Sequence, residues 1–251
     1  MSRATGLCRE TPLSMKTPRL LLSVAAFATA ALAGTAAFQS ARALPDNLMP
    51  VYPAALILTG VTEGSAVIGV SVDSEGRVKD QLVLAYTDSR FARTSTETLR
   101  DWRFTPATLD GVPVPVQFEL RFDYSLEGAV ITAGVLDHFL YDRYSKLGPR
   151  TLAYRPAEAD KLDHVPVRIG GGAPKYALAA QKDGVHGVVT VRFYIDEQGN
   201  VRLPAISGVP NPYLGEQAMA AVREWKFQPV TRGGEPVLVA AQQEFNFGSG
   251  Q

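Results

Sequence analysis

Arg223-Glu224-Trp225-Lys226-Phe227-Gln228-Pro229 restates Arg100-Asp101-Trp102-Arg103-Phe104-Thr105-Pro106, 123 positions earlier. The same frame sets Asp196-x-x-Gly199-x-Val201 on Asp73-x-x-Gly76-x-Val78, Gly234-x-Pro236-Val237 on Gly111-x-Pro113-Val114, and Phe245 on Phe122. The matches fall mostly on Gly, Pro, Trp and Phe, residues that fix turns and fill cores, and no gap interrupts them. A chain of 251 residues could be one large domain or two small ones, and the repeat decides for two.

The second copy has the clearer periodicity. Pro174 to Asp183 reads as a short helical lead-in. Val189, Val191, Phe193 and Ile195 alternate with Thr190, Arg192 and Tyr194, the period of a half-buried strand. Asp196 to Asn200 is a tight turn with Gly199 where positive φ is needed. Val201 to Ser207 is a second, antiparallel strand, and Pro204 confines it to an edge or an irregular stretch. Tyr213 to Lys226 reads as a helix, with Leu214, Ala218, Ala221, Val222 and Trp225 on one face. Pro236 to Phe247 is the last strand. The first copy repeats the plan: Ala66, Ile68, Val70 and Val72 form the buried face, Leu99 and Trp102 lie on the helix face, and Val114 to Tyr124 closes the unit. The expected fold class is α+β, each copy a three-stranded antiparallel sheet packed against one helix.

The copies occupy 50–124 and 174–247, with an insert over 125–173. In the insert, Ile131, Val135, Phe139 and Leu140 predict a helix running to Leu147, and Gly170-Gly171-Gly172 reads as a flexible joint. Residues 1–43 have the layout of an export signal. Basic residues precede an uncharged run from Leu20 to Ala41, and Ala41-Arg42-Ala43 supplies the small residues that a signal peptidase reads. An uncleaved anchor is the competing reading, and both place the remainder outside the inner membrane, in the periplasm.

Several function classes are excluded by composition. With 25 Lys+Arg against 25 Asp+Glu there is no basic excess for nucleic acid. The single cysteine, Cys8, precedes both copies and forms no internal bridge. His138, His164 and His186 lack the close spacing of a metal site. Asp73 and Asp196 are turn residues rather than catalytic carboxylates. No nucleophile, base and orienting group come together, so no enzyme, cofactor or metal is expected.

Pro50-x-Tyr52-Pro53, an alternating strand into Asp-x-x-Gly-x-Val, a helix ending in Trp-x-Phe-x-Pro, then Gly-x-Pro-Val and an aromatic alternating finish resemble the C-terminal domain of the TonB family, met twice. In the second copy Tyr176-Ala177-Leu178-Ala179-Ala180 and Gly184-x-x-Gly187-x-Val189 follow the family register, with Ala177 in place of a proline. The resemblance implies a periplasmic module that binds a protein partner, such as a TonB-dependent outer-membrane receptor or another envelope component. It implies that an extended segment pairs with the last strand by β-augmentation. Carried over, the pairing residues are Val237, Leu238, Val239, Ala240 and Ala241, with Val114, Val116 and Phe118 in the first copy. TonB's anchor histidine and long proline-rich spacer have no counterpart between Leu20 and Pro53, so energy transduction is not part of the expectation. A structural alternative has the two closing strands pairing with each other in one six-stranded sheet, which leaves a scaffold without a peptide site. Trp102, Trp225, Phe245 and Phe247 are expected in the cores.

Overall fold

The computed structural model describes residues 37–136, 152–208 and 211–248; the remainder of the expected leader lies outside them. Two short strands, β1 (Phe38–Gln39) and β2 (Arg42–Ala43), precede helix α1 (Ala54–Ile57). A long hairpin, β3 (Glu63–Val72) and β4 (Val78–Tyr86), leads to helix α2 (Ser89–Leu99). Strand β5 (Phe104–Thr105), the small hairpin β6 (Ala107–Leu109) and β7 (Val112–Val114), β8 (Val116–Ser125) and β9 (Gly128–Val135) complete the first half. The second half runs β10 (Arg168–Gly170), α3 (Leu178–Lys182), β11 (Gly187–Ile195), β12 (Val201–Ser207) and α4 (Pro212–Arg223). It ends with β13 (Lys226–Phe227), β14 (Thr231–Arg232), β15 (Glu235–Pro236) and β16 (Val239–Phe247).

The shared motifs make shared local structure. Asp73 Oδ1 accepts the backbone N–H groups of Glu75 and Arg77, and Asp196 Oδ1 those of Gln198 and Asn200, so both aspartates close the hairpin turns. Gly76 and Gly199 both have φ +79°, and an added Cβ would fall 1.9 Å from the Phe104 carbonyl oxygen and 2.0 Å from that of Phe227. The close approach of the Trp-x-Phe-x-Pro backbone therefore requires glycine at both turns. Asp88 caps α2 through Arg90 N, and Asn211 caps α4 through Tyr213 N, with Pro212 in the first turn. Phe91, Ala92 and Leu99 of α2 pack on Ala66, Ile68, Val70 and Val72; Leu214, Ala218 and Val222 of α4 pack on Val189, Val191, Phe193 and Ile195. A buried side chain of this kind contributes about 1.5–3 kcal/mol.

The sheet orders are β4-β3-β8-β9 and β12-β11-β16, all neighbours antiparallel. The fold is α+β, and β12, which carries Pro204, is an edge strand. The first sheet gains a fourth strand from the insert, which corrects the helix expected from Ile131. Ile131 lies opposite Phe122 and Val135 opposite Phe118, whereas Phe139 and Leu140 fall outside the described residues. Val130, Ile131 and Thr132 are β-branched, and the two-residue turn Leu126-Glu127 sends the chain straight back onto β8, so strand pairing prevails.

The two sheets also face each other. A third core joins Val67, Leu82, Leu84 and Ala85 of the first half to Tyr194, Leu203, Leu238 and Ala240 of the second, with Leu136, Leu152 and Tyr154 of the insert at its rim. Helix, sheet, sheet and helix thus stack in four layers. Arg202 pairs with Asp80 across the interface and donates to the Gln81 carbonyl at 2.9 Å, while Gln117 Nε2 donates to Pro204 O at 3.0 Å. Tyr154 stacks on Tyr86 at 5.0 Å and donates its hydroxyl to Glu197, so the insert clamps both halves. Burial pushes the Tyr154 hydroxyl pKa well up, and the Glu197 bond adds to the shift.

The halves are not joined through their closing strands. The neighbours of β8 are β3 and β9, and that of β16 is β11, so the six-stranded arrangement is not formed. The triple glycine is not a joint either. Arg168–Gly170 pairs with β13, and the Trp225 indole N–H donates to Gly172 O at 2.8 Å. At Gly171 a Cβ would lie 2.5 Å from Trp225 Cδ1, so glycine is present because the indole comes close.

Candidate protein-binding edge

Strand β16 pairs with β11 along its whole length, from Ile195 opposite Val239 to Gly187 opposite Phe247. Its odd positions face α4: Phe245 lies 5.5 Å from Trp225, which meets Phe193 edge-on at 6.1 Å. The beginning of its outer side is closed by the insert. Ala157 donates its N–H to Leu238 O at 2.8 Å and forms an isolated parallel bridge with Val239. Along a strand the backbone polar groups of successive residues point to alternate sides. Because the Leu238 carbonyl points outward, the N–H and C=O groups of Gln242, Glu244 and Asn246 do too. Past Ala240 no strand among the described residues covers them. The Gln243 side-chain amide donates to Glu244 O at 2.7 Å, a contact that an incoming strand would displace.

The sequence-derived residues divide between open and occupied positions. Val237 precedes β16, donates its N–H to Val230 O and packs on the second core. Leu238 is buried, Val239 is bridged by Ala157, and Ala240 faces the other half, so the open stretch begins at Ala241. In the first half Val114 pairs with Ala107 inside the β6–β7 hairpin, and Val116 pairs with Val72. Phe118 pairs with Val70 on one side and Val135 on the other, so an open edge there is corrected: β9 covers β8 from Phe118 to Ser125. The shift of 123 positions sets that covered stretch on Ala241–Gly248, the stretch left open in the second half. The β-branched run after Gly128 carried a signal for this cover; Ala157 carried none.

An open groove lies beside β16, lined among others by Pro166, Arg168, Trp225, Phe227, Ala241 and Phe245. The Arg168 guanidinium stands 4.5 Å above the Trp225 ring, which holds one wall by a cation–π contact. Asp163 accepts the N–H groups of Gly233 and Gly234 at 2.8 Å each and holds the β14–β15 turn; the Gly234 bond is the chief cause that lowers its pKa. The predicted tryptophans, Trp102 and Trp225, are buried in the cores. His164 and His186 are exposed, His138 lies outside the described residues, and among the described residues no three metal-ligand side chains gather. Chemically the edge can add a backbone strand and seat alternate side chains in the groove.

The family model described as the Gram-negative bacterial TonB protein C-terminal matches residues 49–126 and 172–248. A stretch of 65 residues is 34% identical to protein TonB of Vibrio cholerae serotype O1, covering 26% of this chain and 27% of that protein. The match therefore spans about a quarter of the relative. Two family segments coincide with two halves that share turn, cap, core and closing strand, and the chain belongs to the TonB C-terminal family, a family of binding proteins rather than enzymes, with two of its domains in tandem.

Proposed function

We propose that this chain is a periplasmic envelope protein that captures one extended segment of a protein partner by strand addition to β16, in the setting of TonB-dependent transport. The contrast between the halves carries the reading. Among the described residues the homologous closing strands differ in that β8 has strands on both sides and β16 on one. The first half is filled by its own chain and acts as a rigid support; the second offers Gln242, Glu244 and Asn246 to a ligand strand. Affinity comes from main-chain hydrogen bonds, and selectivity from residues seated beside Trp225 and Phe245. The partner class is an outer-membrane receptor or another envelope protein presenting a flexible segment.

The test is titration of the protein with extended receptor-derived peptides, read by amide chemical shifts. Saturable shifts at Gln242, Glu244 and Asn246, with one peptide bound per chain, are expected. Gln242→Pro removes one outward donor and should weaken binding about tenfold, the equivalent of roughly 1.4 kcal/mol. Unchanged affinity in that folded variant would remove β16 as the binding edge.

A further inference from the structure

The duplicated structural unit begins earlier than its sequence match. Ahead of the first copy, Ala43 pairs with Phe104 and Arg42 with Thr105, then Gln39 with Thr108 and Phe38 with Leu109. Leu44 N donates to Arg103 O at 3.0 Å, and Asn47 exchanges two bonds with the Arg103 backbone, at 2.8 and 2.9 Å. The Trp102 indole N–H donates to Leu48 O at 2.8 Å, and Ala41 packs against the first core. Ahead of the second copy the same segment is gripped in the same way. Arg168 pairs with Phe227 and Gly170 with Lys226, Gln228 N donates to Val167 O, and the Trp225 indole N–H reaches Gly172 O. In both halves a preceding strand lies on the Trp-x-Phe segment. A feature built twice belongs to the unit.

Cleavage after Ala43 would remove β1 and β2 and strip that cover from the first half alone. We propose instead that signal-peptidase cleavage falls upstream of Ala37, so that the mature protein keeps residues 37–43 as part of its first domain. The reaction is hydrolysis: water splits one peptide bond, leaving a carboxylate on the leader and a new α-amino group on the mature chain. The small-x-small rule is also met at Ala31-Leu32-Ala33 and Gly34-Thr35-Ala36. A cut after Ala33 holds the apolar run from Leu20 to 14 residues, within the roughly 7–15 usual for an export signal, and a cut after Ala36 to 17, both shorter than the run to Ala41. A cut after Ala36 would set the new amino group of Ala37 against Asp110, whose Oδ1 already accepts the Ala37 N–H at 2.8 Å. The inference stands independently of strand addition at β16.

The experiment is expression of the full chain in a Gram-negative host, followed by intact-mass measurement and N-terminal sequencing of the exported protein. A mature chain starting at Gly34 or Ala37 is expected. Ala43→Leu places a bulky residue at the end of the rejected triplet, on an exposed position, and should be processed to the same length at the same rate. A start at Leu44, an intact leader, or blocked processing of Ala43→Leu would overturn the proposal.

Discussion

At the residue scale, the repeated glycines make the sharpest claims. Gly199→Ala must hold φ +79° and push a methyl into the Phe227 carbonyl, so a loss of about 2 kcal/mol or more is expected. Gly233→Ala faces the same backbone penalty at φ +61° with nothing within 4 Å, and about 1 kcal/mol should suffice. Paired thermal melts separate the two. Acid sensitivity also belongs here. Arg77 N lowers the Asp73 pKa, the Arg90 side chain that of Asp88, and Gly234 N that of Asp163. Each folded carboxyl binds its proton less tightly than the unfolded one, so its stabilisation is full above about pH 4 and fades as pH falls through the lowered values. Urea midpoints should be flat from roughly pH 7 to 5 and drop below about 4. The turn roles of Asp73, Asp196 and Gly199 were legible in the sequence because turn chemistry is local; those of Asp88 and Asp163 were not read there. The role of Ala157 was not, since an alanine carries no mark of what its N–H meets.

At the element scale, β16 has an inward and an outward set of donors, and proline separates them. Val239 lies opposite Ile195 with its N–H turned toward β11, so Val239→Pro should cost a ladder bond, about 1 kcal/mol or more. Gln242→Pro removes an outward donor on an edge and should shift stability by less than about 0.5 kcal/mol. Circular-dichroism melts of the two variants check the assignment of sides. Strand β9 shows where periodicity fails. Ile131, Val135 and Phe139 are spaced by four and suggest a helix, yet Gly128 to Val135 also fits a strand, and the waiting edge of β8 decides. The open edge was legible as a closing strand in both copies. Which copy kept it open depended on a partner strand whose own sequence was ambiguous.

At the scale of the whole molecule, the core between the sheets joins the two domains and should make them unfold as one body. Leu203, at φ +47°, lies over Gly69, where a Cβ would fall 2.6 Å from Leu203 Cδ1. Leu203→Ala leaves a void between the halves and should cost about 2–5 kcal/mol. Calorimetry should show one transition in the parent, and a lower or split one in the variant. The part-exposed Arg202–Asp80 pair adds at most about 1 kcal/mol to this coupling, so the apolar contact dominates. By itself the sequence determined the duplication, the hairpin turns, the helix faces and the family, because these rest on interactions between residues close along the chain or on a pattern repeated within it. Only the tertiary structure decided that the halves stack face to face, that β9 covers one closing strand, that Ala157 trims the other, and that residues 37–43 belong to the first domain. Those outcomes depend on which backbone edges and sheet faces meet across long separations, and unpaired main-chain groups look alike in any sequence until a neighbour arrives.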